Sequence, residues 1–196
     1  FLSIIARSHL DKAITPDNYQ SAGEYLSQVN SLLKDTLSKT DQKNTSEEGF
    51  DGGVCIYYRN SRKLEFAGAK ASIFQVQSDG ATETVGDRKS VGSTRMKEGF
   101  EFSTHEIDDP SGSFVMLTDG ITDVMSPEER PIAFGRRRVL KLLQQATDRS
   151  PRYIVEKIMN SVDLYRGGAP FRDDLTLLAF SFNESDSSEG VSLAGE

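Results

Sequence analysis

The order in which hydrophobic periodicities follow one another constrains this 196-residue chain more than any other feature. Helical spacing comes first. Leu2, Ile4, Ile5 and Leu10 start an apolar face, Pro16-Asp17-Asn18 interrupts it, and Tyr25, Leu26, Val29, Leu32, Leu33 and Leu37 resume it. Pro16 suits the first turn of that second helix, where its missing N–H costs little. A polar stretch from Ser38 to Gly49 reads as a loop. From Gly52 the period shortens to two. Val54, Ile56 and Tyr58 alternate, Asn60-Ser61-Arg62 turns the chain, and Leu64 and Phe66 alternate again. Ile73, Phe74 and Val76 make a third strand closed by Ser78-Asp79-Gly80. Phe100, Phe102 and His105-Glu106-Ile107 make another, and Pro110-Ser111-Gly112 leads into the buried strand Phe114–Leu117. Helical spacing returns at Val139, Leu140, Leu142 and Leu143 and at Ile154, Val155, Ile158, Met159 and Val162, before a final apolar strand from Leu175 to Phe182, central by its content. Strand and helix do not alternate, so the class is α+β with a largely antiparallel sheet system.

Charge and cysteine content narrow the function. Hydrophobic residues are 36% and charged residues 27%, the balance of a chain that folds around a core. The net charge is −7, and the tail from Asn183 to Glu196 adds Glu184, Asp186, Glu189 and Glu196 without a base. Low in apolar content, that tail reads as disordered. The body keeps a slight acidic excess, which argues against nucleic acid as a partner. The longest apolar run is too short to span a bilayer and no signal peptide is evident. With Cys55 alone, no intrachain disulfide forms, which fits a reducing, cytoplasmic setting. The chain opens at Phe1 rather than Met, as a piece of a longer protein would.

Two acidic clusters stand at the ends of apolar strands. Thr118-Asp119-Gly120-Ile121-Thr122-Asp123 follows Phe114–Leu117, and Arg172-Asp173-Asp174-Leu175-Thr176 precedes Leu177–Phe182. Carboxylates brought to one point repel and raise one another's pKa unless a cation neutralises them. Oxygen donors of this kind suit Mg²⁺, Mn²⁺ or Ca²⁺. The alternative is that Asp119-Gly120 and Asp173-Asp174 are turn residues, and spacing alone does not separate the two readings.

In order along the chain, these clusters resemble the two C-terminal metal motifs of metal-dependent PPM-type phosphatases, in the SpoIIE-like bacterial serine/threonine branch. Leu64-Glu65-Phe66-Ala67-Gly68-Ala69, Asp87-Arg88-Lys89-Ser90-Val91-Gly92 and Phe134-Gly135-Arg136 resemble further family segments, so the likeness runs from Phe1 to about Phe182. It implies a two-layer, largely antiparallel β-sandwich flanked by helices. It also implies a cleft holding two divalent ions, Mn²⁺ or Mg²⁺, that promote attack of water on phosphorus in line. Asp119 and Asp173 match family ligands, Gly120 lets the backbone approach the ion, and Asp174 supports the ligands. By its own spacing, Asp123, four residues after Asp119, either holds a water beside the ion or caps a helix. The family's Asp-Gly-His-Gly-type motif precedes the helix that Phe1-Leu2-Ser3-Ile4-Ile5 resembles, so the first ligands and N-terminal strands are expected outside this chain. An apolar sheet edge left open that way would invite dimerisation. The substrate implied is a phosphorylated protein, a small anti-sigma-factor antagonist in a bacterial partner-switching pathway. A regulatory, perhaps membrane-anchored, region is expected before the domain.

Two other readings compete. One is the same fold with an incomplete metal site, serving as a module that binds a regulatory partner. The other is a haloacid-dehalogenase-like phosphatase with Asp119 as nucleophile, but that chemistry wants an Asp two positions on, where Ile121 stands. His9 and His105 lack companions at ligand spacing, and Cys55 between Val54 and Ile56 reads as core. Asp51, in Phe50-Asp51-Gly52-Gly53, is a weak site candidate. Arg136-Arg137-Arg138 begins a helix, where the dipole disfavours cations, so either a solvated face or a phosphate contact explains it.

Overall fold

The computed structural model describes residues 20–39, 49–93, 96–97 and 99–182. The apolar face around Leu2–Leu10, His9, Pro16 and the acidic tail lie outside the described residues. Helix α1 spans Ala22–Lys39; strands β1 to β6 are Gly52–Tyr58, Lys63–Ala69, Ser72–Gln77, Gly80–Val85, His105–Asp108 and Ser113–Leu117. There follow a short helix α2, Asp119–Thr122, then α3, Gly135–Gln144, α4, Pro151–Arg166, and strand β7, Leu177–Ser181.

Among the described residues, every pairing between these strands is antiparallel. One sheet has the order β1-β2-β5 and the other β4-β3-β6-β7. The period of two decides which side chain enters which layer. Leu64 and Phe66 of β2, Ile73 of β3 and Phe114 of β6 meet between the sheets, with Cys55, Met116, Phe180 and Phe182 against them. On the other side of the four-stranded sheet, Phe74, Val76 and Val115 pack under Val139 and Leu143 of α3 and Ile154, Ile158 and Val162 of α4. Ala67 and Ala69 of β2 pack under Tyr25, Leu26, Val29 and Leu33 of α1. The layers are therefore helix, sheet, sheet, helix, as the sequence order and the resemblance lead one to expect.

Local chemistry sets the element ends. Ser150 caps α4 by accepting from the Tyr153 N–H, Pro151 takes its first turn, and Gly167 closes it at φ 56°, where glycine is free of strain.

Four expectations change. Strand β4 was not apparent in the sequence, because Thr82, Glu83 and Thr84 give an edge strand no apolar alternation. Phe100 and Phe102 are not strand residues; they pack edge-to-face, with Phe102 buried beneath α1. Strand β7 is the outermost strand of its sheet among the described residues, not a central one. Its apolar run reflects partial cover, with Leu177 and Ala179 against the helices and Phe180 against the other sheet, while Leu178 stays exposed. Leu32 of α1 also lies partly exposed rather than on the buried face.

Candidate active site

The two acidic segments meet because β6 and β7 are neighbours. The register pairs Leu117 with Leu177. One step further, the Thr118 N–H donates to the Thr176 carbonyl at 3.0 Å and the Thr176 N–H donates to Thr118 Oγ1 at 3.1 Å. The threonine of each motif is thus spent on joining the two segments. Gly120, buried beside this join, has no room for a side chain: a Cβ there would stand 2.2 Å from the Asp174 carbonyl oxygen. The glycine is required by backbone packing, whatever else it approaches.

Asp119 opens α2 and is exposed on the wall of a cleft of about 660 Å³. Around it stand Asp51, Lys70, Glu83, Asp87, Arg88, Arg136 and Arg137. A smaller pit of about 70 Å³ at the same end holds Asp51, Lys70, Thr118 and Asp119. Asp173 and Asp174 are exposed on the adjoining segment and face a separate shallow concavity with Phe171, Arg172 and Leu175. The Asp173 carboxylate accepts the Asp174 N–H at 2.7 Å. Asp123 ends α2, its N–H on the Asp119 carbonyl and its carboxylate accepting from the Thr122 hydroxyl at 3.4 Å.

The donors fit a hard divalent ion in kind, since all are carboxylate or carbonyl oxygens. Among the described residues, no group of three or more His, Cys, Asp or Glu side chains gathers to hold one. An ion at Asp119 or Asp173 would need donors beyond the described side chains.

The remaining candidates separate cleanly. Arg138 reaches back to the carbonyls of Ala133 and Phe134 and stacks on Tyr165 at 4.9 Å, a structural role. Arg136 and Arg137 instead border the cleft, Arg136 bonded to Ser72 Oγ at 3.1 Å and to Glu83 at 3.5 Å. Cys55 is a core residue 3.5 Å from the Met116 sulfur, and burial pushes its thiol up to about 12, out of reach of thiolate chemistry. His105 stands on β5 beside Phe66. Sequence reasoning gave Asp51 little weight and passed over Lys70. The available signal was their place at strand ends, which becomes informative only when the sheets are stacked.

The family described as Stage II sporulation protein E (SpoIIE) matches residues 2–183. A comparison with curated protein sequences found no match. Among solved structures, the chain is similar to the SiaA-PP2C domain of Pseudomonas aeruginosa, at 27% identity and TM-score 0.75, covering 93% of this chain and 69% of that one. It is also similar to the RsbU and RsbW domains of a Mycobacterium tuberculosis protein, at 19% identity and TM-score 0.61, covering 91% of this chain and 46% of that one. The catalytic domain of serine threonine protein phosphatase PstP, in complex with two manganese ions, is similar at 14% identity and TM-score 0.56, covering 91% and 77% respectively. Those two likenesses concern the fold alone.

Proposed function

The chain belongs to the SpoIIE family, and on that premise we propose that it is a phosphoserine/phosphothreonine protein phosphatase domain using two Mn²⁺ or Mg²⁺ ions. The observation that carries the reading is the join of the two acidic segments beside the cleft on whose wall Asp119 stands. Thr118 and Thr176 lock the segments together, and Gly120 lies against the Asp174 backbone.

In this reading Asp119, Asp173 and the Gly120 backbone carry the ions, and Asp174 and Asp123 steady them. A divalent ion there supplies Lewis-acid charge for a phosphoryl oxygen. The protein's own part is positional. The β6–β7 ladder fixes where the Asp119 and Asp173 segments emerge. The cleft sets four cations, Lys70, Arg88, Arg136 and Arg137, against four carboxylates, so attraction of a dianionic phosphate depends on the charge of the bound ions. The proposed substrate is a small phosphorylated anti-sigma-factor antagonist, the direction that membership of the SpoIIE family supports. No described helix is long and apolar enough to cross a membrane.

Turnover of a phosphoserine peptide with Mn²⁺ tests the proposal. Asp119→Asn and Asp173→Asn should each abolish it while the circular dichroism spectrum stays unchanged. Full activity in both variants would move the chemistry elsewhere. The second reading, a partner-binding module of the same fold, draws on the incomplete donor set among the described residues. Calorimetric titration with Mn²⁺ separates the two, since a module of that kind takes up no ion at millimolar concentration.

A further inference from the structure

We propose that Lys70 is the side chain that grips the substrate's phosphoryl group, an assignment that rests on the phosphatase reading and adds a positioning cation to it. Lys70 and Ala71 carry the chain from one sheet to the other, between β2 and β3. Strand β3 runs antiparallel to β6 with Ile73 opposite Met116. Counting back from that pair sets the Lys70 corner abreast of the Asp119 turn. Four cations border the large cleft, but Lys70 alone among them also lines the smaller pit that contains Asp119. Arg136 is already engaged by Ser72 and Glu83.

The backbone at Lys70 sharpens the case. Its φ is 50°, a left-handed conformation that glycine or asparagine adopts with less strain than lysine. The corner cannot relax, because the Lys70 N–H donates to the Asp87 carbonyl at 2.7 Å and the Gly86 N–H to the Ala71 carbonyl at 3.0 Å. A Cβ at Gly86 would lie 2.4 Å from the Gly68 carbonyl oxygen, so the neighbouring strand end is pressed flat against the corner. Folding alone therefore favours a residue other than lysine here. The visible partner of the ammonium does not explain it either. Asp51 stands 3.6 Å away, both side chains are well exposed, and such a pair contributes little. Arg62 and Asp109 hold the same left-handed backbone outside the cleft, at φ 49° and 46°, so the conformation alone marks no function; at Lys70 it is joined by the position in the pit of Asp119. A lysine ammonium is a compact point charge on a flexible stem, suited to follow a phosphate monoester dianion into the pit.

The test uses the full-length protein loaded with Mn²⁺, with p-nitrophenyl phosphate as substrate and inorganic phosphate as the binding probe. Lys70→Asn should raise the KM and the calorimetric Kd for phosphate at least tenfold, leave kcat within about threefold, and leave the melting temperature unchanged or higher. Lys70→Arg should recover most of the phosphate affinity. Unchanged phosphate affinity in Lys70→Asn, or a lowered melting temperature with unchanged KM, overturns the assignment and makes Lys70 a structural partner of Asp51. Asp119→Asn run in parallel keeps the two proposals apart. If it is inactive while Lys70→Asn binds phosphate normally, only the lysine assignment falls. If it is fully active, the assignment of the metal site to Asp119 falls, while a tenfold loss of phosphate affinity in Lys70→Asn still upholds the anion site.

Discussion

The two helical layers dock on their sheets with different weights of apolar and polar contact. Helices α3 and α4 cover the four-stranded sheet chiefly with a buried apolar face, where Ile154, Ile158 and Val162 are wholly buried, and the polar contacts of α3, Arg136 with Ser72 and Glu83 and Gln144 with the Ala81 carbonyl, flank that face. Helix α1 covers the other sheet with an apolar face and a set of buried polar bonds. Glu65 of β2, only 2% exposed, accepts from the first helical N–H, that of Ala22, at 2.9 Å and pairs with Lys63 at 2.8 Å. The Gly23 N–H goes to Thr104 Oγ1, the Phe102 N–H to Ser27 Oγ, and the Gly92 N–H to the buried Asn30. An apolar stripe tolerates small sliding, whereas a buried carboxylate on a helix N-terminus works in one register only. The comparison teaches that α1 is placed by specificity and the α3–α4 layer by burial.

The largest expected effect breaks the apolar side. Ile158→Ala, at a fully buried position, should cost about 2–5 kcal/mol in urea unfolding. A smaller cost than that of any polar change in α1 would reverse the comparison. Next comes Glu65→Ala, which orphans the Ala22 N–H and should cost about 1–3 kcal/mol. Hydrogen exchange should then speed up in α1 while α3 and α4 keep their protection; uniform loss of protection would mean the two layers do not dock independently. Asn30→Ala removes a neutral acceptor from the Gly92 N–H and should cost about 1 kcal/mol, again with exchange confined to α1.

The smallest effect belongs to an exposed polar bond on the other side. Asp148 accepts from the Ser150 N–H and hydroxyl just before α4, and those bonds hold its carboxyl below the usual value. A depressed folded-state pKa gives stability that is complete above about pH 3.9 and fades as pH falls through the folded value. Asp148→Asn should therefore lie slightly below the parent at pH 7 and converge with it in acid. A gap that stays constant with pH would assign the difference to something other than that charge.

Much of this was legible in the order of residues. Alternation at Val54–Tyr58 and Leu64–Phe66 and helical spacing at Ile154–Val162 report burial of a face, and burial leaves a periodic trace within one element. The Asp119 and Asp173 segments were legible as ends of apolar strands and as motifs of a family. Strand β4 was not, because an edge strand of threonines and glutamate is held by backbone bonds to β3, which leave no trace in side-chain type. Arg138 was legible as a basic residue, but its bonds to Ala133 and Phe134 carbonyls were not.

By itself, then, the sequence determined the elements, their class and the two acidic turns, since each depends on residues within a few positions of one another. Only the tertiary structure decided which distant residues share a corner. Glu65 reaches Ala22 across 43 positions and Thr118 reaches Thr176 across 58. Lys70 comes to the pit of Asp119 through the stacking and register of separate strands. Such partners are set by how sheets pair and pack, and those long-range contacts carry no fixed spacing that a linear pattern could record.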